Sequence, residues 1–182
     1  MRELPVRKNI RLKGWNYGNA GCYFITICVK NKHEMFGKVL DGKMMVNEHG
    51  AIAERNIINI PRHINHVSID KYAVMPNHVH IIVRITENVG TPYMASAEPP
   101  SAEPPFAETR TPCMASLQIK SKQTLSKAMQ QYKASVTRET AIAGLWQERF
   151  HDHIIRDEAE YQRVWQYIES NPERWTEDEF HP

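Results

Sequence analysis

No apolar run in the 182-residue chain approaches the roughly 20 residues that a helical bilayer crossing needs, so a soluble protein without a membrane partner is expected. The basic opening, MRELPVRKNIRLKGWN, lacks the apolar stretch of a secretory signal, which predicts a cytoplasmic location. Cysteine is scarce: Cys22, Cys28 and Cys113 are odd in number and without CxxC spacing, which argues against a disulfide framework and a cysteine-built zinc site. A large net charge is also missing, at +2, but the signs are unevenly spread. Arg7, Lys8, Arg11 and Lys13 crowd the start, and Lys127, Lys133 and Arg138 lie in a stretch without an acid until Glu139. The end is acidic, from Asp157 to Glu179. Two basic segments on a nearly neutral chain suit contact with a phosphate backbone, solvated lysine faces being the plain alternative.

The length favours one domain over residues 1–182, interrupted by one insertion. CYFITICV, residues 22–29, reads as a strand, and 36–46 as a hairpin around Asp41-Gly42. After Asn47, the spacing of Ala53, Ile57, Ile60 and Ile64 predicts a helix that Pro61 must kink or end. Residues 67–75 and 78–85 read as antiparallel strands joined at Pro76-Asn77. Residues 88–116 repeat TPxMAS and AEPP, the mark of a low-complexity, disordered insertion. Leu125, Ala128, Met129, Tyr132 and Val136 then mark a second long helix, residues 145–157 an irregular approach to a short strand, and Tyr161, Val164, Trp165 and Ile168 a final helix halted before Pro172. This order predicts an α+β fold, a ferredoxin-like βαββαβ split sandwich with an antiparallel sheet and its helices on one face.

AVMPNHVHIIV carries the chemistry. Residues two apart in a strand share a face, so His78 and His80 offer two imidazoles side by side, although nine histidines make a chance pair as reasonable. On the final helix, Tyr167 and Asn171 are four apart and stack at one edge of the apolar stripe. A carboxamide oxygen from Asn171 would complete a mixed nitrogen and oxygen site suited to Mg²⁺ or Mn²⁺, with the phenol one turn away. The plainer alternative makes Tyr167 a rim aromatic and Asn171 a helix-end residue. Tyr132 lies in a basic helix but shares the phase of its apolar stripe, which suits a core or rim ring better than a nucleophile.

PNHVH, LWQERFHDHIIRDEAEY and QYIESNPERW, in that order and spacing, resemble the REP-associated tyrosine transposases and, more widely, the single-tyrosine transposases of the HUH endonuclease superfamily. The likeness spans nearly the whole chain outside residues 88–116, the main departure from the family pattern. It implies a ferredoxin-like core that binds single-stranded and hairpin DNA, His78 and His80 as the metal pair, Asn171 as third protein ligand and Tyr167 as nucleophile. Asp152 and His153 fall in a family motif; a salt-linked structural pair and hydrogen-bond support for the metal ligands are both open to them.

The expected chemistry is attack by Tyr167 on a DNA phosphate, giving a 5′-phosphotyrosine and a free 3′-hydroxyl, then transfer to another strand without ATP, which amounts to DNA transposition. A phenol is a weak nucleophile at neutral pH, and an ion held by His78, His80 and Asn171 would polarise the phosphate. A non-catalytic single-strand-binding module of similar architecture and a metal-dependent hydrolase using water are the alternatives. Monomer and homodimer are equally compatible with the sequence.

Overall fold

The structure, a computed structural model, describes residues 19–86 and 124–181. Arg7, Lys8, Arg11 and Lys13, and the AEPP-bearing segment 88–116, lie outside the described residues. Along the chain come β1 (Gly21–Cys28), β2 (Gly37–Leu40), β3 (Lys43–Val46), α1 (Glu48–His63), β4 (Val67–Val74), β5 (His78–Ile85), α2 (Thr124–Thr140), β6 (His151–Ile155) and α3 (Glu158–Ser170). Four strands form one antiparallel sheet in the order β4-β5-β1-β6, and β2 and β3 make a separate hairpin. Without that hairpin, β1-α1-β4-β5-α2-β6 is the βαββαβ arrangement expected from the sequence.

Local chemistry sets the boundaries. Asp41 and Gly42 both have positive φ, +50° and +70°, as a two-residue hairpin turn requires. Asn47 caps α1, its side chain accepting from the Gly50 N–H at 2.9 Å. Gly50 is also a packing requirement, because a Cβ there would stand 2.2 Å from the Phe36 carbonyl oxygen. Pro61 falls in the last turn, where it withdraws one N–H from the hydrogen-bond ladder, and α1 ends two residues later at His63. Asp157 caps α3 through the Glu160 N–H at 2.8 Å. Among the described residues no helix is long and apolar enough to cross a membrane.

Tyr23, Ile25 and Ile27 of β1 and Val79, Ile81, Val83 and Ile85 of β5 face a core closed by Ala53, Ile57 and Ile60 of α1 and by Leu125, Ala128, Met129, Tyr132 and Val136 of α2. The other face is covered too. Ile82 and Ile155 pack against Ile168 of α3, flanked by Cys22, Phe24, Tyr161, Val164 and Trp165. The expectation of helices on one face therefore needs correction: α1 and α2 share a face, and α3 lies on the opposite one. Every residue of HVHIIVRI except Arg84 is buried, so β5 is covered on both sides.

Polar links dock α3 at the β4 edge. Lys71 pairs with Glu169 at 3.1 Å and stands 4.8 Å over the Trp165 ring, while Tyr161 donates to Asp70 at 3.1 Å and Asp70 also takes the Arg84 guanidinium. The side chains next to Ile82 on the α3 face of β5 are those of His80 and His78. The fold thus sets the stripe of α3 across the histidine pair.

Candidate functional site

His78 and His80 are buried, and their Nε2 atoms lie 2.9 Å apart. The tautomer of His78 follows from its neighbour. Asn77 donates its Nδ2 to the carbonyls of Lys32 (3.1 Å) and Phe180 (2.8 Å), which leaves its Oδ1 as the acceptor 2.9 Å from His78 Nδ1. The His78 proton therefore sits on Nδ1, and its Nε2 presents a lone pair to the site. His80 Nδ1 lies 2.9 Å from the Thr26 hydroxyl, which can donate or accept. His80 can thus offer Nε2 as a donor to His78 or, with Thr26 accepting, as a second lone pair. Burial pushes the His78 pKa down to about 4, and desolvation, with the repulsion that two protonated neighbours would suffer, holds His80 well below its usual range. Two neutral imidazoles converging on one point have the chemistry of a metal-ligand pair.

Asn171 caps the C-terminus of α3 and is buried. Its Nδ2 donates to Asp178 Oδ2 at 2.6 Å, and its buried Oδ1 has no hydrogen-bond partner. An orphaned buried carboxamide oxygen is costly and fits a donor awaiting a cation. Asp178 is a residue that the sequence reading missed. It follows the Pro172 turn, eleven positions after Tyr167, where no periodicity connects it to the site. One ligand atom each from His78, His80 and Asp178 lie within 4.8 Å of one another.

Tyr167 is 37% exposed, at the edge of the stripe that Ile168 anchors. Its hydroxyl lies 3.4 Å from His80 Nε2 and donates a hydrogen bond to Asp178 Oδ2 at 3.3 Å. Partial burial, with the charges of Asp178 and Glu179, drives the phenol pKa up, so it stands as a protonated phenol with an acceptor in place. Phe24 packs edge-on to the Tyr167 ring with centroids 5.9 Å apart and lies 5.2 Å from the His80 ring. An open cavity of about 580 Å³ runs over these groups, lined also by Arg163, Arg174, Glu177 and Glu179. That volume is in the range of ligand pockets.

The other sequence candidates are scattered. Tyr132 is 2% exposed in the α1/α2 layer, and desolvation alone raises its pKa, so it is a core ring. Lys133 donates to the carbonyls of Gln147 (2.6 Å) and Glu148 (3.1 Å), so its ammonium pins the approach to β6. Lys127 and Arg138 are exposed on α2, whose layer lies across the sheet from the histidines. Asp152 and His153, adjacent on β6, point to opposite faces. Asp152 pairs in register with Ile25 and so faces the α1/α2 layer, while His153 pairs with Glu160 at 2.7 Å.

No protein-family model matches the chain. An uncharacterised protein of Haemophilus influenzae is 34% identical over 179 residues, covering 96% of this chain and 93% of the relative. A solved structure of a REP-associated tyrosine transposase bound to a REP hairpin superposes with a TM-score of 0.56 at 18% identity, covering 94% of this chain and 73% of that one.

Proposed function

We propose, from the premise that this chain belongs to the same family as the Haemophilus influenzae protein and has the fold of a REP-associated tyrosine transposase, that it cleaves and rejoins single-stranded DNA through a covalent link to Tyr167. One observation carries the reading: a partly exposed phenol stands 3.4 Å from one of two buried, neutral histidines whose Nε2 atoms converge. Neither a binding module nor a structural domain requires that convergence.

In the first step the Tyr167 oxygen attacks a backbone phosphorus, forming the tyrosyl ester and breaking the bond to the 3′-oxygen. The phenolic proton passes first to a local acceptor, for which Asp178 Oδ2 is in place, and ends on the released 3′-hydroxyl. A 3′-hydroxyl from another strand reverses the step on new DNA. His78, His80 and Asn171, with the Asp178 carboxylate beside them, would hold a divalent ion such as Mg²⁺ or Mn²⁺, which supplies charge stabilisation at the phosphate when bound. The residues do the positioning: Thr26 and Asn77 fix the two imidazoles, Phe24 packs against the Tyr167 ring, and the Ile168 anchor holds the helix that carries the nucleophile. The hairpin held by the structural neighbour favours folded DNA ends with single-stranded flanks as substrate, and an unpaired strand could enter the open cavity as a duplex could not. The test is incubation with a labelled hairpin oligonucleotide and Mg²⁺ or Mn²⁺, followed by denaturing electrophoresis. A labelled band at protein mass is expected, and cleavage with no such band would assign the attack to water.

A further inference from the structure

Arg163, Tyr167 and Asn171 recur every four residues along α3 and therefore form one stripe, and all three line the cavity over His80. Successive members are about 6 Å apart along the helix axis. The stripe thus presents in order a carboxamide, a nucleophile and a guanidinium, a length suited to one nucleotide step on either side of the tyrosine.

The cavity is rich in acids, and its cations are few. Arg174 is engaged with Glu177 at 3.4 Å. Asp178 holds Asn171 and Tyr167. Arg163 is exposed and has no hydrogen bond or ion pair among the described residues. Its acidic neighbour one turn back, Glu160, is committed to His153 and to the Arg156 N–H. A guanidinium is thus left without an acidic partner at the mouth of a cavity whose other charged lining is the Arg174–Glu177 pair, Asp178 and Glu179. A polyanion entering that cavity meets three carboxylates and one paired guanidinium, so the unpaired one is its most favourable contact, and the guanidinium fork matches phosphate oxygens in a way a lysine does not.

We propose that Arg163 binds the backbone phosphate adjacent to the one that Tyr167 attacks, and so sets which phosphodiester of the strand lies over the nucleophile. This rests on the phosphotyrosine reading of Tyr167. A charged surface patch elsewhere would change affinity but not register. Arg163, one turn from the nucleophile on the same rigid helix, changes both.

The test couples the protein to individual phosphates. A labelled hairpin oligonucleotide with single-stranded flanks is prepared with one neutral methylphosphonate at each successive flank position, and binding is measured to Tyr167→Phe protein with and without Arg163→Ala. Arg163→Ala should weaken binding to unmodified DNA by about ten- to hundredfold and lower the salt slope by about 0.7, one phosphate on a single strand. A single methylphosphonate should weaken the parent by a similar factor and leave the Arg163→Ala protein unaffected. Cleavage mapping with intact Tyr167 should put that phosphate next to the cut, and Arg163→Lys, which keeps the charge and loses the fork, should retain the salt slope but blur the cut site. Equal sensitivity of both proteins at every position, or coupling to a phosphate distant from the cut, overturns the proposal. Intact coupling in a protein that forms no tyrosyl adduct overturns the reading of Tyr167 instead and leaves the phosphate contact standing.

Discussion

Addition of Mn²⁺ or Mg²⁺ should stabilise the folded chain, and the site sets the size of the effect. His78 and His80 are neutral at about pH 7.5, so little proton competition opposes ligation. The Asn171 carboxamide oxygen is buried without a partner, a cost of about 1–3 kcal/mol that ligation would relieve. Ligand that binds only the folded state at a hundred times its dissociation constant adds about 2.7 kcal/mol. For a chain of this size, 1 kcal/mol moves the midpoint by about 2–4 °C, so saturation should raise it by about 5–10 °C. The assay is a thermal melt against metal concentration, repeated with His78→Ala/His80→Ala and with Asp178→Asn. The double variant should melt at one temperature whatever the metal concentration, and Asp178→Asn should shift the titration to about tenfold more metal or beyond. An equal rise in the double variant would place the metal elsewhere, and no rise at millimolar metal would remove the ligand assignment.

Ile168→Ala should cost about 2–5 kcal/mol by urea unfolding, because Ile168 is 1% exposed and anchors a small core under α3; a loss below half a kilocalorie would mean that the polar links at the β4 edge hold the helix instead. Tyr132→Phe should be neutral or stabilise by up to about 1 kcal/mol, since the buried Tyr132 hydroxyl has no hydrogen-bond partner. Replacing residues 90–116 with a short Gly/Ser linker should change the melting midpoint little, given the duplicated AEPP and TPxMAS units, and a large fall would show that the segment packs against the rest.

The β-strand and helix order was legible because each element carries its own periodicity: Leu125, Ala128, Met129, Tyr132 and Val136, all buried, announce α2 without help from the rest of the chain. Spacing also predicted that His78 and His80 share a face and that Tyr167 and Asn171 share a turn. What periodicity could not supply was the layer. The stripe of α3 says that it is covered but not by which face of the sheet. Asp178, Thr26 and Asn77 were missed for a related reason. Thr26 meets His80 across a strand register that no local pattern encodes, Asn77 acts through a turn, and Asp178 returns to the site through an irregular tail. The carbonyl contacts of Lys133 were equally hidden, because a lysine in a basic helix looks the same in sequence whether it faces solvent or two backbone carbonyls.

Covalent joining of Tyr167 to DNA is read out by peptide mapping of the labelled residue after reaction with a hairpin oligonucleotide carrying single-stranded flanks, in parallel with Tyr167→Phe and Tyr132→Phe. Tyr167→Phe keeps the ring, its packing on Phe24 and the single-strand binding, and removes only the attacking oxygen. Label should appear on the peptide containing Tyr167, with an undiminished adduct in Tyr132→Phe and none in Tyr167→Phe despite retained binding. Label recovered on any other residue, or an adduct that persists in Tyr167→Phe, would contradict the covalent role of Tyr167.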